Sequence, residues 1–416
     1  MSSFSDNSFS DNRVSRRRVF YIPGYDPIHP RRYRELYRKE SAAQAAISGY
    51  EIALGPGRSA DRFGWHVAAE IDGARVSTDF EVLVWSDIVR DSMEQGITAT
   101  YVQMIRTAWI YIASGALWRL MRLRKGPVIA ALYPVAFLIV QLLLAVLAGS
   151  LVLRAGEAIL MPLIGAMGQV IAAVAAVALA YALLRWFKAR DNRFFAYYLM
   201  HDYAYSAASK GANPPELEAR MAEFTEEIAA ALRSDVQEVL VVGHSSGAHL
   251  GVSILADLIR QGRLRGEGPA LSFLTLGQVV PMVSFLRDAH RLRADLHYLS
   301  TREELTWVDV TAPGDGCAFA LCDPVSVSGV APEEKRWPLV ISCAFTKTLR
   351  PETWKALRWR FFRLHFQYLC AFDRPGDYDY FQITAGARTL RARFAGRKPS
   401  PSRIERPLSP FRNVQP

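Results

Sequence analysis

Cysteine is scarce in this chain: four in 416 residues, at 317, 322, 343 and 370, all in the last third. No apolar leader precedes them, so a disulfide framework is not expected and reduced thiols are. Cys317 and Cys322 have no second pair at ligand spacing, so no metal is expected. HExxH, the Walker loop and the dinucleotide fingerprint are missing as well, which leaves zinc, nucleotide and nicotinamide chemistry without their usual marks and predicts no cofactor. No internal repeat occurs. Most informative is the lack of charge over 126 to 153 and again over 158 to 184.

Each uncharged run exceeds the twenty or so residues that cross a bilayer core. They predict a transmembrane helical hairpin over 126 to 184, with its loop at Arg154-Ala155-Gly156-Glu157. Arg119, Arg122, Arg124 and Lys125 precede the first run and Arg185, Lys188 and Arg190 follow the second. By the positive-inside rule both flanks, and with them both termini, are expected on the cytoplasmic side. The short loops and basic flanks suit a bacterial inner membrane. Residues 97 to 125, with Tyr101, Met104, Trp109 and Trp118, predict an interfacial or linking helix.

Outside that hairpin the chain alternates strand and helix patterns. Val19 to Ile22 reads as the first ordered strand, followed by a helix over 30 to 47 with Gly49 just past its end. Strands are predicted at 50 to 54, 64 to 71, 74 to 78 and 81 to 85, the Asp72-Gly73 turn making a hairpin of the second and third. A helix over 214 to 233 leads into Val239-Leu240-Val241-Val242, and further strands follow at 271 to 276, 305 to 310 and 339 to 345. Residues 1 to 17 are expected to be a disordered N-terminus and 387 to 416 a basic disordered tail. The net charge of +10 suits contact with anionic lipid. The basic ends lack interleaved aromatics, so nucleic acid is not expected as a partner.

The chain is organised around Gly243-His244-Ser245-Ser246-Gly247, one GxSxG match between a buried-type strand and an apolar-striped helix. A serine hydroxyl is a poor nucleophile without a base and an oxyanion site, and a sharp strand-to-helix turn can supply access to both. Gly243 and Gly247 let helix and strand pack closely around a strained Ser245. These residues resemble the nucleophile elbow of the lipase and esterase branches of the α/β-hydrolase superfamily. The resemblance implies a doubly wound, mostly parallel α/β sheet built from 18 to 96 and 185 to 386, with the two-helix transmembrane hairpin inserted between them. It also implies oxyanion donors at the amides of Ser246 and of Gly24 or Tyr25 in Pro23-Gly24-Tyr25.

In that superfamily the acid and histidine follow the serine in order. His365 is the only histidine beyond residue 297 and is the expected base. Asp315, in the loop after the strand at 305 to 310, is the expected acid. Asp323 is the alternative and Asp309 a lesser one. His244 and His249 are expected to be structural. The resemblance thus implies a membrane-anchored serine hydrolase, a lipase- or esterase-like enzyme cleaving a lipid or other acyl ester through an acyl-serine intermediate. The competing expectation is an inactive hydrolase-like membrane scaffold or binding module. Neither assigns an oligomeric state.

Overall fold

In the computed structural model, which describes residues 13–57, 62–264, 266 and 268–415, the apolar runs around the GxSxG segment become the middle of one sheet. Eight strands lie in the order β2-β3-β4-β1-β5-β6-β7-β8. They are β1 (Arg16–Ile22), β2 (Glu51–Pro56), β3 (Gly64–Ile71), β4 (Ala74–Val82), β5 (Glu238–His244), β6 (Ala270–Leu276), β7 (Leu305–Thr311) and β8 (Leu339–Ser342). From β4 through β8 every pairing is parallel, whereas β2, β3 and β4 run antiparallel. The protein is therefore α/β with a mixed, mostly parallel sheet. β5 is buried along its whole length because sheet neighbours flank it and helices cover both faces, which is why it reads as an unbroken apolar run.

The Asp72-Gly73 turn forms as expected, with both residues at positive φ. The strands expected at 74 to 78 and 81 to 85 are in fact one, β4, which ends at Val82: residues 74 to 81 pair with β3 to complete the hairpin, and residues 77 to 82 also pair with β1. Thr78 and Phe80 keep the inward alternation through the middle, so nothing breaks the strand.

The first six helices of the chain lead from the sheet's first strands into the apolar pair. They are α1 (Arg31–Ser48), α2 (Ser86–Met93), α3 (Ile97–Ala113), α4 (Ala116–Leu123), α5 (Lys125–Ile164) and α6 (Ala166–Ala189). Gly49, at φ 71, ends α1 in a left-handed cap that only glycine adopts cheaply. α5 and α6 are long and apolar enough to cross a membrane, and only 22% and 17% of their most apolar windows are buried, unlike the helix of a protein core. Gly149, Gly156 and Gly168 face Ala176, Ala172 and Leu160, so the pair packs at backbone distance.

The reversal does not lie at 154 to 157. α5 runs through those residues for 40 residues and turns at Gly165, whose φ of 55 and ψ of −136 suit glycine. The charges do not break the helix because Arg154 points out and Glu157 accepts a hydrogen bond from Gln169 Nε2 on α6 at 3.2 Å. α5 is about 60 Å long and α6 about 36 Å at 1.5 Å per residue, so the foot of α5 extends past the pair into the body of the protein.

Both ends also depart from expectation. Residues 1–12 of the expected disordered lead-in fall outside the described residues, but Arg13 already bridges Arg388 and β1 starts at Arg16. The segment after 387 is packed rather than loose. Arg17 and Glu238 form a fully buried ion pair at 2.6 Å, and this segment meets much of their remaining hydrogen-bonding capacity: Arg17 donates to the Gly386 and Arg388 carbonyls, and Glu238 accepts the Leu390 amide beside the Ser272 hydroxyl. A buried charge pair needs every such bond, which fixes the chain there despite its polar composition. Farther on, Ile404 bridges Cys322, and Asn413 accepts from the buried Arg293.

Candidate active site

Ser245 sits between the end of β5 and the helix Gly247–Arg260, with φ at 56. Its amide donates to the Leu276 carbonyl of β6 at 2.9 Å, so the neighbouring strand holds the turn. A Cβ on Gly247 would lie 2.1 Å from the Ile22 carbonyl oxygen, and one on Gly243 would lie 2.7 Å from that of Gly247. Neither position admits a side chain without moving backbone, which is the physical content of the motif. Gly24 is close as well, though less so, its missing Cβ lying 3.0 Å from Ser245 Cβ.

His365 and Asp315 meet as the chain order suggested. His365 Nδ1 and Asp315 Oδ2 are 2.7 Å apart, which leaves Nε2 as the free ring nitrogen. Asp315 Oδ1 accepts the Cys317 amide at 2.9 Å, and Oδ2 also accepts the Tyr368 hydroxyl at 3.0 Å. Burial alone would raise this carboxyl. The facing His365 charge and these hydrogen bonds outweigh it and hold Asp315 below its usual range. The result is a carboxylate fixed beside an imidazole.

His365 and Ser245 line one cavity of about 80 Å³ together with Gly24, Tyr25 and Ser246. The amides of Gly24, Tyr25 and Ser246 make no hydrogen bond to another described residue, so they are available to an oxygen in the cavity. The Ser245 hydroxyl likewise makes none: serine and imidazole face the same space without the contact being closed.

The other candidates are placed elsewhere. Asp323 caps the short helix Pro324–Val327 through the Val325 and Ser326 amides and pairs with Lys335 Nζ at 2.7 Å, so its carboxylate is engaged away from His365. Asp309 lies inside β7 against the Thr275 hydroxyl at 2.6 Å, and burial pushes it up to about 8. His244 holds the His365 carbonyl at 3.0 Å through Nε2 and is pushed down to about 3, chiefly by burial and then by the His365 charge. It packs against the His365 ring, 4.8 Å between centroids, and holds the backbone there. His249 is buried with Nδ1 unpartnered.

Two residues escaped the sequence reading. Tyr368 donates to Asp315 and accepts the Ala312 amide at 3.0 Å, tying the acid loop to the histidine segment. Asp202, on the helix Ala196–Ala208, lines the Ser245 cavity and makes no hydrogen bond or ion pair among the described residues. Enclosure pushes it up to about 7, with His365 pulling it back. Neither carries a motif. Tyr368 stands three residues past His365, and Asp202 is one acid in an aromatic-rich stretch.

Asp315, Cys317 and His365 also have ligand atoms within 4.8 Å of one another, close enough to hold a metal ion. The donor set fits poorly: both Asp315 oxygens and His365 Nδ1 are already engaged, and burial raises the Cys317 thiol well above its usual range, against the thiolate a metal needs.

No family model matches this chain, and neither do any curated protein or solved structure.

Proposed function

We propose that the protein is a membrane-anchored serine hydrolase of the α/β-hydrolase type, cleaving an acyl ester through an acyl-Ser245 intermediate. The observation that carries this reading is the convergence on one cavity of Ser245 at positive φ, the Asp315-held imidazole of His365 and three unpaired amides. Ser245 Oγ adds to the ester carbonyl carbon as its proton passes to His365 Nε2. The resulting oxyanion takes hydrogen bonds from the amides of Ser246 and of Gly24 or Tyr25. The tetrahedral carbon then expels the alkoxide, which takes the proton from the imidazolium and leaves as the alcohol. Water, deprotonated by His365, attacks the acyl-serine and releases the acid in the same two steps.

The membrane side of the reading rests on the exposed apolar surface of α5 and α6 and on basic residues at their outer ends. α3 adds to it: Val102, Ile105, Trp109 and Ile112 form an exposed apolar stripe while Thr100, Met104, Thr107 and Tyr111 face inward. A helix with its outer face apolar fits a bilayer surface. The hairpin then inserts between the two halves of the hydrolase sheet and leaves the active site on the cytoplasmic side.

The test is labelling of the membrane-embedded protein by a fluorophosphonate. Wild type should label, and Ser245→Ala and His365→Ala should not. Absence of labelling in folded wild type would favour a non-catalytic scaffold.

A further inference from the structure

We infer that the cleft at the foot of α5 binds the anionic headgroup of a membrane phospholipid beside the Ser245 cavity. The cleft measures about 690 Å³ and lies between the α4–α5 junction, the loop 313–316 and the segment from Trp354 to Phe361. Arg122, Arg124, Lys125 and Arg358 line it, and among the described residues none of the four is in an ion pair with a carboxylate. The only acid in its wall, Asp315, is committed to His365. Four cations around one concavity repel one another, and an anion removes that cost.

The surroundings say which anion. Lys125 begins the apolar helix α5, and Trp359, 72% exposed, stands at the cleft with the Arg358 guanidinium 5.5 Å from its ring. Arginine, lysine and exposed tryptophan at the foot of an apolar hairpin mark the level of phosphates in a bilayer. A solute anion has no use for the exposed tryptophan or the hairpin. Pro127 lines both the cleft and the Ser245 cavity, and the neighbours Phe361 and Phe362 wall one each. A lipid held by its phosphate in the cleft therefore has its esters next to the nucleophile. That last step rests on the hydrolase reading, whereas headgroup binding does not.

The test titrates short-chain phosphatidylglycerol into the full-length Ser245→Ala protein in neutral detergent, followed by calorimetry, with short-chain phosphatidylcholine and inorganic phosphate as parallel arms. Phosphatidylglycerol should saturate one site and bind at least tenfold more tightly than either control. Arg358→Gln, at an exposed position that does not bear on folding, should weaken it about fivefold, and adding Arg122→Gln and Lys125→Gln about a hundredfold in all. Arg358→Lys should restore most of the loss. Equal affinity for the two lipids, or an unchanged affinity in the triple variant, overturns the proposal. Phosphate binding as tightly as the anionic lipid overturns it too, in favour of a solute site. Headgroup binding in a protein whose wild type fails to label with fluorophosphonate supports the cleft and sinks the hydrolase reading alone.

Discussion

The elbow helix Gly247–Arg260 and the hairpin α5–α6 are both rich in leucine, valine and alanine, yet they meet opposite surroundings. Leu250, Val252, Ile254, Leu255 and Leu258 are essentially inaccessible, held between the sheet and the helices Pro215–Ala231 and His290–Leu299. In the hairpin, Leu143, Leu147, Leu163 and Val177 are each more than half exposed. Apolar content alone does not say which solvent a helix is built for. Spacing of the charges does: the elbow helix carries Asp257 and Arg260 within 14 residues, whereas α6 runs 19 residues from Ala166 without any.

The comparison can be broken most severely at the buried charge pair. Glu238→Ala strands Arg17 inside the sheet and should cost about 3–5 kcal/mol of unfolding free energy by guanidinium titration. Ile254→Ala should cost about 2–5 kcal/mol in the same assay, whereas Val177→Ala should stay within about 0.5 kcal/mol in detergent. Leu147→Arg tests the other side: it should cost about 2.5–3.5 kcal/mol of membrane insertion and release protein on carbonate extraction. A smaller effect is expected from pH. Burial lowers His249 to about 4 and His244 to about 3, against 6.5 when unshifted. Between those values the unfolded chain binds more protons at these two histidines, so the stability they contribute is full above about 6.5 and falls as pH drops toward 4. Asp202, raised to about 7, and Asp309, raised to about 8, act in the opposite sense, so Asp202→Asn should lose more stability on acidification than wild type does. The hairpin has no histidine, and its helical signal in detergent should not change over this range.

Where a local pattern carries the information, the sequence was legible. Period, turn residues and the GxSxG segment located the central strands, the Asp72-Gly73 hairpin, Ser245, and by chain order His365 and Asp315. What escaped depends on contacts distant in sequence. The placement of residues 386 to 390 follows from the demands of Arg17 and Glu238, and that of Ile404 and Asn413 from Cys322 and Arg293, all distant in sequence. Asp202 acquires meaning only because its helix is brought against the elbow. The reversal at Gly165 was hidden by Arg154 and Glu157, whose charges resemble a loop until Gln169 is seen to answer one of them.

The position of β1 between β4 and β5 also sets a timetable for synthesis. When β4 leaves the ribosome, β1 can pair on one side only, and its other edge, carrying Val19, Phe20, Tyr21 and Ile22, stays open. The strand that closes it arrives roughly 150 residues later, after the whole hairpin, or about 8–30 s at usual elongation rates. During that interval the nascent chain displays a bare hydrophobic strand edge beside two emerging apolar helices. The half-made protein, rather than the finished one, is the species most in need of a chaperone, and slowing translation between β4 and β5 should increase its aggregation.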